Sequence, residues 1–200
     1  MNRTVELIFD LAAPNGYLAY YPLRDIAQRQ GAALVVTPVF LGGMHKLTGN
    51  SPPMTRDAGV KGKVEYAMLE FQRFVKKHGM DRFRVHPALP FNSILLQRLL
   101  VAVSGDERIR LVEALLPAVW ERNIDCGDVE MVAAELTAAG FDAAALLQRT
   151  QDPAVKQVLA DNTAHAVVRG AFGIPTMFVG NEMFFGKERL SQIEDELARV

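Results

Sequence analysis

The chain has 200 residues, half of them hydrophobic, and its 22 Lys and Arg nearly balance 23 Asp and Glu for a net charge of −1. That balance leaves no basic field for nucleic acid or an anionic membrane surface, and no apolar run reaches the roughly eighteen residues a membrane-spanning helix needs. The single cysteine, Cys126, cannot form an internal disulfide, which suits a reducing compartment. With Met1-Asn2-Arg3-Thr4 leading straight into a strand pattern and no apolar leader, a cytoplasmic location is expected.

Thr4–Asp10 reads as a strand, and a helix is predicted from Pro14, a proline suited to a first helical turn. Ala19, Leu23, Ile26 and Ala27 form its buried stripe, Pro22 predicts a kink, and Gly31 ends it. Ala33–Thr37 is an apolar, β-branched run, the pattern of a strand covered on both faces. A strand-helix-strand unit of this length implies a right-handed crossover and a parallel pair. Residues 41–58, with Gly42-Gly43 and Pro52-Pro53, predict a long loop that carries His45. Val64, Ala67, Met68, Phe71, Phe74 and Val75 then recur at helical spacing up to His78-Gly79.

From about 90 to 170 the pattern is only helical, with helices predicted at 92–104, 107–122, 128–139, 142–150 and 153–169. Asp106 and Asp152 are the expected N-caps. Val112, Leu115, Leu116 and Val119 make one apolar stripe; Val155, Val158, Leu159 and Asn162 make another. Thr176–Val179, the turn Gly180-Asn181 and Glu182–Phe185 predict a hairpin, and a last helix runs from Lys187 to Arg199. The fold class is therefore α/β. The order β-α-β, helical insert, β-β-α is that of a thioredoxin fold, with residues 1–80 and 170–200 forming the thioredoxin-like domain and 81–169 the inserted helical domain. In redox members of that fold, Ala13 and Gly16 would be the two cysteines of a C-x-x-C motif; here neither is, which excludes disulfide exchange.

Four segments carry a closer resemblance: Phe9-Asp10-Leu11-Ala12-Ala13-Pro14-Asn15-Gly16-Tyr17-Leu18-Ala19, Thr48-Gly49-Asn50-Ser51-Pro52-Pro53, Lys61-Gly62-Lys63-Val64-Glu65-Tyr66, and the long run from Phe172 through Gly173-Ile174-Pro175-Thr176 to Leu190. Together, in this order, they resemble the 2-hydroxychromene-2-carboxylate isomerases, relatives of the kappa-class glutathione transferases on the DsbA-like branch. The resemblance implies glutathione as cofactor, a small aromatic carboxylate as substrate in aromatic compound catabolism, and a homodimer. It further implies that Ile174, before Pro175, pairs its backbone with the cysteinyl residue, a small case of strand addition. Asn50 and Lys63 would meet the glycyl carboxylate, although Lys63 equally suits a solvated helix face. The amides of Gly186 and Lys187 would receive the γ-glutamyl carboxylate. Glu188 would neutralise the γ-glutamyl ammonium or, equally, serve the helix dipole.

The departure is Ala13, where the family has a serine whose hydroxyl would favour the thiolate. Asn15 and Tyr17 are the nearby polar replacements, Asn15 alternatively a cap and Tyr17 alternatively a wall aromatic. Ala13 keeps two alternatives open beside the isomerase: a kappa-like transferase or peroxidase, and a non-catalytic glutathione-binding protein. The four histidines share no metal-binding spacing. Cys126 lies among acidic neighbours that raise a thiol pKa and reads as structural.

Overall fold

β1 (Thr4–Phe9) lies inside a four-stranded sheet of order β2-β1-β3-β4, formed with β2 (Ala33–Pro38), β3 (Thr176–Val179) and β4 (Glu182–Phe185). In this computed structural model, which describes residues 3–199, β1 runs parallel to β2, with Leu7 opposite Val36. It runs antiparallel to β3, with Leu7 also opposite Met177. Met1, Asn2 and Val200, at the ends of the expected thioredoxin-like domain, lie outside the described residues.

The helices are α1 (Pro14–Arg29), α2 (Leu41–Thr48), α3 (Pro53–Arg56), α4 (Lys63–Lys77), α5 (Ile94–Ala102), α6 (Gly105–Trp120), α7 (Val129–Ala138), α8 (Ala143–Arg149), α9 (Pro153–Val168) and α10 (Leu190–Arg199). One face of the sheet, through Val5, Leu7, Phe9, Val36, Met177 and Val179, joins α1, α10 and the inserted helices in the larger apolar core. The other face contributes Ile8 and Phe178 to a smaller cluster with Ala13, Val39, Met44, Ala166, Ala171 and Ile174, under α2 and α9. The five helices predicted between 92 and 169 are present within a few residues of their expected ends. In α6 the stripe Leu111, Val112, Leu115, Leu116 and Val119 is fully buried; each such side chain stabilises the fold by about 1.5–3 kcal/mol relative to exposure.

Several expectations change. Residues 41–58 are not a loop. Gly42 and Gly43 let α2 close on its own N-terminal residue, since a Cβ at Gly42 would lie 2.8 Å from the Phe40 ring. Thr163 of α9 anchors the same end by accepting from the Phe40 amide at 2.9 Å. His45 is therefore helical and half-buried. β2 is not covered on both faces: it is an edge strand whose Val35 is 42% exposed. Arg108 covers part of this edge, donating to the Val36 carbonyl at 3.0 Å as well as to Leu100 and Val103. α1 passes through Pro22 without a break. The α6 N-cap is Ser104, with Asp106 inside the first turn, whereas Asp152 caps α9 by accepting from the Ala154 amide. Val158 faces solvent while Val155 and Leu159 are buried. The last helix opens as a 3-10 turn, Lys187–Arg189, before α10.

Candidate active site

The β1–α1 connection ends at Ala13, the extended N-cap residue of α1, which caps with no side chain. Its carbonyl accepts from the Gly16 amide at 2.9 Å and the Tyr17 amide at 3.3 Å, while its amide donates to the Asp10 carbonyl at 3.1 Å. Pro14 has no amide hydrogen, and the Asn15 amide pairs with no described residue. An open donor therefore points out of the positive end of α1.

Facing it is the segment Gly173-Ile174-Pro175, with a cis Ile174–Pro175 bond. A Cβ at Gly16 would stand 3.4 Å from the Ile174 side chain, so the two elements nearly touch. Neither the amide nor the carbonyl of Ile174 pairs with a described residue. The segment is held from both ends: Thr176 Oγ1 donates to the Gly173 carbonyl at 2.8 Å, and the Gly186 amide donates to the Pro175 carbonyl at 3.0 Å. Gly173 packs closely here, since a Cβ would sit 3.0 Å from the Phe185 ring and push it aside. Asn50 reaches the same segment, its Nδ2 donating to the Phe172 carbonyl at 2.8 Å.

The fold thus brings Ala13, Asn15, Gly16, Asn50, Ile174 and Pro175 together. Lys63 stands at the start of α4, bound to Asp57 at 2.9 Å. Arg56 shares that carboxylate at 2.9 Å and reaches Asn50 Oδ1 at 3.5 Å. The two cations hold the Asp57 carboxyl well below its ordinary pKa. Burial and the charge of Arg56 push His45 down.

Three expected site groups are otherwise engaged. Tyr17 turns to the helical insert, where its hydroxyl donates to Glu121 at 2.9 Å and its ring stacks on Phe83; burial and the carboxylate push its pKa up. It is a wall aromatic, with no hydroxyl free for a sulfur. The Gly186 amide is taken by Pro175, and the element it starts is only a 3-10 turn. Lys187 buries its ammonium against the rings of Phe71 and Phe74 and pairs with Glu188, so Glu188 already has a cation.

A buried polar network behind Ala13 is not evident from the sequence. The Asp10 carboxylate accepts from the Ala12 amide (2.9 Å), the Leu41 amide (2.7 Å) and Ser93 Oγ (3.0 Å). Burial raises its pKa, and these three bonds pull the other way. Gln97 donates to the carbonyls of Phe9 and Val39 at 2.8 Å and accepts from the Leu11 amide at 3.1 Å. The Trp120 indole donates to the Leu11 carbonyl at 2.9 Å. One signal was available: Gln97 is a lone amide in the apolar run Ile94-Leu95-Leu96-Gln97 of a buried helix. Cys126 is buried, and burial and Asp125 push its thiol up to about 12, which disfavours the thiolate. No group of metal-ligating side chains is found among the described residues, and no described helix is long and apolar enough to cross a membrane.

Comparison with known proteins identifies the family and the fold. A family model described as a DSBA-like thioredoxin domain matches residues 4–198. The chain is 30% identical to a 2-hydroxychromene-2-carboxylate isomerase of Pseudomonas putida, over 98% of this chain and 95% of that protein. It is 28% identical to glutathione S-transferase kappa 1 of Homo sapiens, over 94% and 88%. Among solved structures, a 2-hydroxychromene-2-carboxylate isomerase superposes with a TM-score of 0.86 at 28% identity, covering 98% of this chain and 95% of that one.

Proposed function

We propose that this chain, which belongs to the DSBA-like thioredoxin domain family and within it to the 2-hydroxychromene-2-carboxylate isomerases, is a glutathione-dependent isomerase. Its substrate would be 2-hydroxychromene-2-carboxylate or a related aromatic keto acid. The observation that carries the reading is the meeting of the α1 N-terminus with the unpaired backbone of Ile174, beside Asn50. Bound glutathione would supply a thiolate that adds reversibly to a conjugated carbon, so that a bond can rotate.

The protein's own part is positioning and charge stabilisation. The amide and carbonyl of Ile174 can take the cysteinyl residue in strand fashion. The open Asn15 amide and the positive end of α1 favour an anionic sulfur. Lys63 and Arg56, both exposed and sharing one carboxylate, suit a carboxylate end of the tripeptide. In the same reading the protein works as a cytoplasmic homodimer in aromatic compound breakdown, with 1–80 and 170–200 as the thioredoxin-like part and 81–169 as the insert.

Ala13 supplies no hydroxyl. Loss of one hydrogen bond to a charged group is worth about 1.5–3 kcal/mol, which would raise a thiol pKa by about one to two units. That feature favours a second reading, a glutathione-binding protein without turnover. Calorimetric titration with reduced glutathione at neutral pH tests the first step: saturable one-site binding is expected, and no binding at millimolar concentrations would end the glutathione reading. Turnover of the chromene carboxylate by wild type and Ala13→Ser then separates enzyme from binder. A rate gain of about tenfold or more in the serine variant is expected; no turnover by either protein favours the binder.

A further inference from the structure

We propose that Asn15 supplies the sulfur-side hydrogen bond that Ala13 lacks, its carboxamide N–H donating to the sulfur of bound glutathione. The inference rests on the glutathione reading above.

Asn15 follows Pro14 in the first turn of α1, between Ala13 and Gly16, the residue that approaches Ile174. Its Oδ1 is buried without a partner, whereas its Nδ2, which also makes no hydrogen bond to any described residue, is not fully buried and is the accessible end of the carboxamide. Unpaired buried polar atoms are uncommon in folded proteins, because each gives up its hydration for nothing. The rest of the segment offers no other free polar side chain. Asp10 is saturated by three donors, Tyr17 is bound to Glu121, and Leu11, Ala12, Ala13, Pro14 and Gly16 have no polar side chain. The accessible N–H end can therefore donate to a ligand without breaking another bond. The N–H orientation favours an anionic sulfur, and a bond to the charged form lowers the thiol pKa. The thiol proton would leave to solvent water.

The test is the ultraviolet absorbance of the thiolate, followed against pH for glutathione bound to the full-length protein, in wild type, Asn15→Ala, Asn15→Asp and the double variant Asn15→Ala/Ala13→Ser. Calorimetry fixes binding and thermal unfolding fixes folding. Asn15→Ala is expected to raise the bound thiol pKa by about one unit, a tenfold smaller thiolate-to-thiol ratio at neutral pH. Asn15→Asp should raise it further by charge repulsion, and Ala13→Ser should bring the Asn15→Ala value back down. A bound thiol pKa that is the same in wild type and Asn15→Ala overturns the proposal. Should Asn15→Ala fail to fold, a value in Asn15→Asp no higher than wild type does the same. Failure of wild type to bind glutathione removes the reading beneath the proposal, whereas intact binding with an unmoved thiol removes Asn15 alone.

Discussion

Behind Ala13, the connection from β1 to α1 is held by Asp10, Ser93, Gln97 and Trp120, each at most 1% exposed. In front of it, α4 buries no residue, and Asn50, Arg56, Asp57 and Lys63 are joined by bonds at the protein surface. Rear bonds lie in a medium where losing one partner leaves the other stranded. Front bonds compete with water, and surface ion pairs contribute little. On the proposed glutathione reading, the rear wall would fix where the ligand's reactive atom sits, and the front wall would tune how tightly its far end is held.

Gln97→Leu should break the rear wall most severely. It leaves the Leu11 amide and the Val39 carbonyl buried without partners, while the Phe9 carbonyl keeps the Val39 amide, at a cost of about 2–5 kcal/mol in urea denaturation. A loss below about 1 kcal/mol would mean the connection holds without it.

Asp10→Asn sharpens the comparison through pH. Burial raises the Asp10 carboxyl above its ordinary value of 3.8, so the folded state holds that proton more tightly than the unfolded chain does. Its stabilising contribution is complete below the ordinary value and is lost as pH rises through the folded-state value. Wild type should therefore lose stability relative to Asp10→Asn as pH rises from about 4, whatever constant offset the variant carries. Parallel denaturant midpoints across that range would count against it.

Lys63→Met, at the front, should have the smallest effect on the fold. The melting temperature should move by less than about 2 °C, while glutathione affinity falls about three- to tenfold by calorimetry. A large loss of stability with unchanged affinity would invert the proposed division between the two walls.

The front of the site was legible in the sequence and the rear was not, for a physical reason. Ala13-Pro14, Asn50, Lys63 and Ile174-Pro175 each stand in a short contiguous segment that carries its own pattern. The rear wall is made of pairs far apart in the chain, Asp10 with Ser93, Gln97 with Leu11 and Trp120 with Leu11, which leave no local period. Tyr17 was ambiguous for the same reason, since its partner Glu121 lies 104 residues along the chain. Helices such as α6 and α9 were read well because they bury apolar side chains at 3.6-residue spacing. α2 was missed because Gly42-Gly43 weighs as a loop signal until Phe40 shows why nothing larger fits.

The indole that closes the rear wall also has an optical consequence. Trp120 is the chain's single tryptophan, and its N–H rests on the Leu11 carbonyl, two residues from Ala13. All indole emission from this protein therefore comes from one chromophore bonded to the backbone of the β1–α1 connection. The molecule carries its own fluorescent gauge of that connection, readable in real time without a label.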